Sequence, residues 1–317
     1  MTPVETIFSQ TTFMASPATL YEPVEYTMQQ QGKRLRPQLL LAANRMFGGD
    51  DEQVRYAAIG IEVFHNFTLL HDDLMDRSPL RRGRPTVYTR YGDNAAILSG
   101  DTMYALAWRY FLKVPHPMLH AILTTFNETA IEVCEGQQYD MDFENRDDVA
   151  IGEYVEMIRL KTAVLLAGAL KIGALYAEAP AAEIERLYAF GIHAGLAFQL
   201  QDDYLDAFGD VATLGKATGQ DIRDNKKTYL YLKALEMASP EQRHTLRTLF
   251  ATSDNTTDGK VSQVIDLYRL LGVGEATSQA VAEQYRQAQE ALDAIQVAPS
   301  AKIPLENILH TLLARNK

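Results

Sequence analysis

The side chains best placed to do chemistry are two clusters of aspartate. Asp72, Asp73 and Asp76 lie within FTLLHDDLMD, and Asp202, Asp203 and Asp206 lie within FQLQDDYLD, 130 residues further along. On a helix, residues four apart share a face, so Asp72 pairs with Asp76 and Asp202 with Asp206. Like charges at that spacing repel, and each cluster follows an apolar run: Val63, Phe64, Phe67, Leu69 and Leu70 before the first, Leu196, Ala197, Phe198 and Leu200 before the second. Carboxylates in such a setting call for a compensating cation. Magnesium suits them, because it prefers oxygen, keeps several waters, and uses one or two carboxylates together with substrate phosphate oxygens. One such cluster in an acidic protein reads equally well as a solvated face. Two copies, both in apolar surroundings, point to a metal-dependent diphosphate site. Neither has the twelve-residue spacing, central glycine and terminal glutamate of a calcium loop.

A diphosphate also needs positive charge from the protein. The candidates are Lys33, Arg34 and Arg36 in GKRLRP, Arg81 and Arg82 in RRG, Lys161 beside Thr162, Lys216 in GK, and Lys226 and Lys227 in NKKT. Arginine forks grip phosphate oxygens bidentately, while lysine adds a point charge. Arg81 and Arg82 follow Asp76 closely enough for one helix end to present both metal ligands and arginines. Arg34 and Lys227 read as ordinary surface charges, and Lys33, Arg36, Arg81, Arg82, Lys161 and Lys216 as functional. His65, set between apolar residues, has by type alone the character of a packed, hydrogen-bonded core histidine.

The elements that must carry these residues are helices. Apolar residues recur at three- and four-residue spacing, as in Leu187, Phe190, Ala194, Ala197, Phe198 and Gln201, and sustained alternation is missing, so the fold class is all-α. Helix breaks are expected at FGGDD (47 to 51), KVPHP (113 to 117), EAP (178 to 180) and SDNTTDG (253 to 259), giving roughly ten helices. RSPLRRGRP (77 to 85) and GDVATLGKATG (209 to 219) each follow an acidic cluster and are expected to be loops at the mouth of a site. No repeat of constant period and no linker divides the chain, which is read as a single domain over 1–317. With 47% apolar residues it can bury a large core, and a net charge of -11 argues against long-range attraction to nucleic acid or anionic lipid. The lone Cys134 excludes an intramolecular disulfide framework, fits a reducing compartment, and reads as buried helix filler. The N-terminus does not look like a secretory leader, and the most apolar run, 163 to 170, is too short to span a bilayer, so a soluble cytoplasmic protein is expected.

Along most of its length the chain resembles the trans-isoprenyl diphosphate synthase family, which includes farnesyl and geranylgeranyl diphosphate synthases. The matching stretches are GKRLRP, HNFTLLHDDLMDRSPLRRGRPTVY, ILSGDTM, EGQQYD, KTA, FQLQDDYLD, GKATGQDI and DNKKTY, in family order from residue 32 to 229. The resemblance implies the isoprenoid synthase fold, a bundle of about ten or more helices around a deep central cavity with the aspartate clusters facing each other at its mouth, usually in homodimers. It implies that Asp72, Asp76 and Asp202 are direct magnesium ligands, that Asp73, Asp203 and Asp206 support them, and that three Mg2+ accompany the allylic diphosphate. Arg81, Lys161, Lys216 and Lys226 match residues that hold the allylic diphosphate. Lys33, Arg36, His65 and Arg82 match a metal-free isopentenyl diphosphate site, and for His65 this match outweighs the core reading. Thr162 and Gln199 match polar groups beside the reacting carbons.

Phe67 and Thr68 resemble the phenylalanine-threonine pair of archaeal-type geranylgeranyl synthases, with Phe64 a turn further down. The implied activity joins isopentenyl diphosphate head-to-tail to dimethylallyl, geranyl or farnesyl diphosphate. The expected product is geranylgeranyl diphosphate ahead of farnesyl diphosphate, and not much beyond twenty carbons. Against a role in chain length stands plain core packing of the two phenylalanines. A class I terpene cyclase is the first rival, opposed by GKRLRP and the second DDYLD. A non-catalytic subunit of a heteromeric synthase is another, opposed by the full set of expected aspartates, arginines and lysines, and a plain acidic helical scaffold is the third.

Overall fold

Helices form where the apolar spacing predicts them. The computed structural model describes residues 3–30, 32–113, 115–209, 218–251 and 258–313. The helices are α1 (Pro3–Ser9), α2 (Ala18–Met28), α3 (Leu35–Met46), α4 (Asp51–Met75), α5 (Val87–Tyr91), α6 (Asp93–Phe111), α7 (Leu119–Glu144), α8 (Ile151–Ile158), α9 (Val164–Tyr176) and α10 (Ala181–Phe208), then α11 (Gln220–Arg223), α12 (Tyr229–Met237), α13 (Pro240–Ala251), α14 (Asp258–Leu271), α15 (Val273–Asp293) and α16 (Pro299–Leu313). A wide π turn, Arg159–Ala163, joins α8 to α9.

Local chemistry sets the boundaries. At FGGDD the Asp50 side chain caps α4 by accepting from the Glu52 amide at 3.0 Å, and Asp51 and Glu52 place negative charge in the first turn, where the helix dipole favours it. The EAP break holds as well: Glu178 has φ +51, and α10 begins after Pro180. The break expected at 113 to 117 separates α6 from α7, with Val114 outside the described residues. Most of 253 to 259 and of 209 to 219 is likewise outside them. RSPLRRGRP is more ordered than a loop: β1 (Leu80–Arg81) pairs antiparallel with β2 (Arg84–Pro85). No described helix is long and apolar enough to cross a membrane.

The chain divides into two compact units, residues 1–126 with 169–184 and residues 127–168 with 185–317. In the first, α4 packs along α6 and against α3, burying Leu40, Ile59, Ile61, Phe64, Met103 and Phe111 to under 2% exposure. Each side chain of this size contributes about 1.5–3 kcal/mol by leaving water, which anchors the helix that carries the first aspartates. In the second, Leu196 and Leu200 of α10 join Leu230, Leu246, Val264 and Tyr268 in a separate core beneath the second aspartates. Cys134 departs from expectation, being exposed. The buried stripe of α7 runs through Ile122, Phe126, Ala130 and Val133, and Cys134 falls off it, on the face of the exposed Ile131.

Candidate active site

In the first unit, α4 ends at the aspartate cluster with Asp76 as its C-cap residue. Asp73 is buried at 6% exposure while Asp76 is exposed. The repulsion between neighbouring carboxylates is answered by the hairpin. Arg81 Nε donates to both Asp73 oxygens at 2.8 and 2.9 Å, and its Nη2 lies 2.8 Å from Asp73 and 3.7 Å from Asp72. Burial pushes the Asp73 carboxyl above its usual range, against the pull of Arg81. Burial alone would lower Arg81, but the hydrogen bond and charge of Asp73 hold the guanidinium above its ordinary value.

The hairpin turn brings the second basic group in. Arg82 (φ +52) and Gly83 (φ +74) both adopt left-handed backbone, as a two-residue turn of the favoured twist requires. The guanidinium of Arg82 lies against Gly32, where a Cβ would come within 2.5 Å of Nη1, so a larger residue there would displace the end of the Arg82 side chain. Arg36 Nη1 meets His65 Nε2 at 3.0 Å. Arginine only donates, so His65 accepts there and carries its proton on Nδ1. Burial first, then the charges of Arg36, Arg82 and Arg81, hold His65 well below the usual imidazole range, and burial brings Arg36 down to about 10.

Glu62, one turn before Asn66 on α4, is 6% exposed and takes a hydrogen bond from Asn66 Nδ2 at 3.3 Å. Its other oxygen, Arg36 Nε and Arg34 Nη1 are buried without a hydrogen-bond partner. Arg34, Arg36 and Arg82 thus surround one internal carboxylate, leaving a surplus of positive charge suited to a multiply charged anion. Arg34 is no ordinary surface charge: it stacks on Phe8 at 3.8 Å and donates to the Met28 carbonyl at 3.0 Å. Lys33 is exposed next to it.

On the same helix, Thr68 donates to the His65 carbonyl at 2.8 Å. Phe64 is fully buried against Phe67, Tyr104 and Phe126, with ring centroids 5.6, 5.9 and 5.3 Å away. Phe67 sits 5.4 Å from Tyr104 and 4.8 Å from His71.

In the second unit a cavity of about 200 Å³ opens onto Asp202, Asp203 and Asp221 of the acidic side and onto Asp140, Lys161 and Lys226. Thr162 and Gln199 are among its neutral polar lining groups, and Met157 and Ile158 are apolar. Lys161 Nζ donates to Asp140 at 2.6 Å. A relay of hydrogen bonds fixes the rest: Thr162 Oγ1 donates to Gln199 Oε1 (3.1 Å), Gln199 Nε2 to Asp203 Oδ1 (3.1 Å), and Tyr154 to Asp203 Oδ2 (2.5 Å). Both Asp203 oxygens are engaged by the protein, which suits support better than direct ligation. Asp206, 6% exposed, accepts from the Asp221 amide at 3.0 Å. Burial, then the charges of Asp221 and Asp202, pushes the Asp203 carboxyl up to about 8, although Tyr154 and Gln199 pull the other way.

Both NKKT lysines line the cavity, and Lys227, 11% exposed, also donates to the carbonyls of Phe143 (3.1 Å), Glu144 (3.2 Å) and Arg146, closing off the C-terminal end of α7. Lys260, 4% exposed, bonds the side chain of Asn225 in the same loop. Lys216 lies outside the described residues. Sequence reasoning gave no role to Glu62, Tyr104, Asp140, Tyr154, Asp221 or Lys260; only Asp140 and Asp221 had a local signal, as acidic members of EGQQYD and GKATGQDI.

The donors suit a hard divalent cation. They are carboxylate oxygens, and the raised Asp203 carboxyl marks an acidic cluster that added positive charge would relieve. Among the described residues no three imidazole, thiol or carboxylate groups already form a protein cage. That accords with an ion that takes one or two carboxylates and leaves positions for water and phosphate.

The polyprenyl synthetase family model matches residues 17–268. The chain belongs to the polyprenyl synthetase family. Among relatives, a geranylfarnesyl diphosphate synthase of Natronomonas pharaonis is 34% identical, covering 95% of this chain and 91% of its own. Among solved structures, a geranylgeranyl pyrophosphate synthase superimposes with a TM-score of 0.92 at 41% identity, covering all of both chains. A polyprenyl synthase from Caulobacter crescentus CB15, complexed with calcium and isoprenyl diphosphate, gives a TM-score of 0.88 at 29% identity, covering 99% of this chain and 94% of its own. The all-α isoprenoid synthase fold and trans-prenyltransferase activity follow for this polyprenyl synthetase.

Proposed function

We propose that this prenyltransferase condenses isopentenyl diphosphate head-to-tail with dimethylallyl, geranyl or farnesyl diphosphate, making geranylgeranyl diphosphate ahead of farnesyl diphosphate. The observation that carries the reading is the presence of two unlike charged clusters: the carboxylate-rich cavity with Lys161 and Lys226, and the guanidinium-rich cluster of Arg36, His65 and Arg82. The first suits a diphosphate carried by metal; the second suits one held by guanidinium groups alone. The neighbour complexed with calcium and isoprenyl diphosphate supports it.

Bound magnesium, three ions per site on this reading, would stabilise the charge that builds on the departing allylic diphosphate. Asp72, Asp76 and Asp202 would hold it, with Asp73, Asp203 and Asp206 in support. Lys161 and Lys226, with Lys216, bind phosphate oxygens, and Arg81 is assigned to the same ligand. Thr162 and Gln199, oriented through Asp203 and Tyr154, present dipoles to the carbons that react. Apolar side chains exclude water from the allylic cation left when the carbon–oxygen bond breaks. The isopentenyl double bond attacks that cation, and the proton lost from the adduct passes to the departed diphosphate. Arg36, Arg82 and Lys33 grip the isopentenyl diphosphate, with His65 donating from Nδ1. The working form proposed is a cytoplasmic homodimer in which each chain, 1–317, acts as one catalytic domain.

The floor for chain growth is proposed at Phe67 and Thr68, backed by Phe64 and Tyr104. Mass spectrometry after incubation with isopentenyl diphosphate, each allylic starter and magnesium is expected to find a twenty-carbon diphosphate as the main product. Phe67→Ala is expected to shift products at least one five-carbon unit longer; unchanged lengths with retained activity would put the floor elsewhere. No condensation by folded protein would favour a cyclase or a partner-dependent subunit.

A further inference from the structure

The π turn Arg159–Ala163 holds one residue more per turn than an α-helix, a departure that local energetics do not favour and that tends to mark functional positions. Two helices press on it through glycine. A Cβ on Gly136 of α7 would lie 2.3 Å from Lys161 N and 2.7 Å from Lys161 Cα and the Leu160 carbonyl carbon. A Cβ on Gly195 of α10 would lie 2.5 Å from Ala163 Cα and 2.6 Å from its Cβ. Main-chain atoms cannot swing aside as the end of a flexible side chain can, so any larger residue must move the turn.

The spacing on both helices repeats. Gly136 and Asp140 are four apart on α7, and Gly195 and Gln199 are four apart on α10, so each glycine shares a helix face with the group one turn on. Lys161, pressed by Gly136, reaches Asp140 at 2.6 Å; Thr162, in the same turn as Ala163 pressed by Gly195, reaches Gln199 at 3.1 Å. Each helix therefore supplies a point of main-chain contact and the partner for a side chain of the turn.

We propose that Gly136 and Gly195 are positioning residues that set the depth of the π turn, so that Lys161 and Thr162 enter the cavity at the reach their chemistry needs. This rests on the reading of that cavity as the allylic diphosphate site. Neither glycine touches substrate; both act through the turn.

The test is steady-state kinetics of the full chain carrying Gly136→Ala, with thermal melting in inorganic pyrophosphate and magnesium as a second readout. The KM for allylic diphosphate is expected to rise about ten- to a hundredfold, the KM for isopentenyl diphosphate to stay within about twofold, and the pyrophosphate-induced shift in melting temperature to shrink. In a Lys161→Met background, Gly136→Ala is expected to add almost nothing, because both act on one contact. An unaltered allylic KM, or an effect that adds in full to Lys161→Met, overturns the inference. Gly195→Ala, paired with Thr162→Val, repeats the cycle with a loss in kcat expected. If neither glycine variant folds where the wild type does, the glycines are structural only and the inference fails. Absence of condensation by the wild-type chain would instead defeat the functional reading on which it rests.

Discussion

Adjacent lysines in Asn225-Lys226-Lys227 both line a cavity, yet Lys227 spends its donors on three main-chain carbonyls. Residue type therefore assigns a role only once its hydrogen bonds are counted. His65 makes the point through protonation. Because Arg36 takes its Nε2 and burial disfavours the cation, the folded protein holds it neutral where the unfolded chain would protonate it near pH 6.5. The folded pKa is depressed, so the associated stability is complete above about pH 6.5 and is lost as pH falls toward the folded value. His65→Gln, which keeps an acceptor for Arg36 and cannot titrate, is expected to remove this component. Unfolding free energies of the two proteins should diverge below about pH 6.5, by at most about 1.4 kcal/mol per pH unit. Parallel profiles would mean that His65 titrates normally in the fold.

At the scale of elements, the hairpin after α4 carries a stability cost where Arg82 occupies left-handed backbone, a conformation that favours glycine or asparagine. Arg82→Asn is expected to stabilise the fold by about 0.5–1 kcal/mol in chemical denaturation. The same change should raise the KM for isopentenyl diphosphate about ten- to a hundredfold, from loss of a charge-assisted contact. A variant that gained stability with the KM unmoved would release Arg82 from any binding role. The helices, and the breaks after Met46 and around Pro180, were legible from spacing and punctuation, because those signals are local. So were the two aspartate pairs, which need only one helical turn to define a face. What escaped depends on partners far along the chain. Tyr154 meets Asp203 across 49 residues and Lys227 meets Phe143 across 84, pairings that no single motif contains. The hairpin escaped because two-residue strands have no measurable alternation, and the π turn because an extra residue in a helix leaves apolar spacing almost intact.

For the whole molecule, magnesium and a diphosphate should stabilise the protein more together than apart, since each supplies what the other's site lacks. Melting temperature in magnesium plus inorganic pyrophosphate is expected to exceed the sum of the two separate shifts. Strict additivity would argue for an acidic scaffold that binds ions loosely. The exposed Cys134 has a different use. It is the only thiol in the chain and stands clear of the buried stripe of α7, so a maleimide dye or spin label would attach at one known place per polypeptide. Burial and the neighbouring Glu135 raise its pKa, so coupling would run faster at mildly alkaline pH. Two chains associating would then bring two identical probes within one particle, turning an unremarkable surface residue into a built-in ruler for self-association.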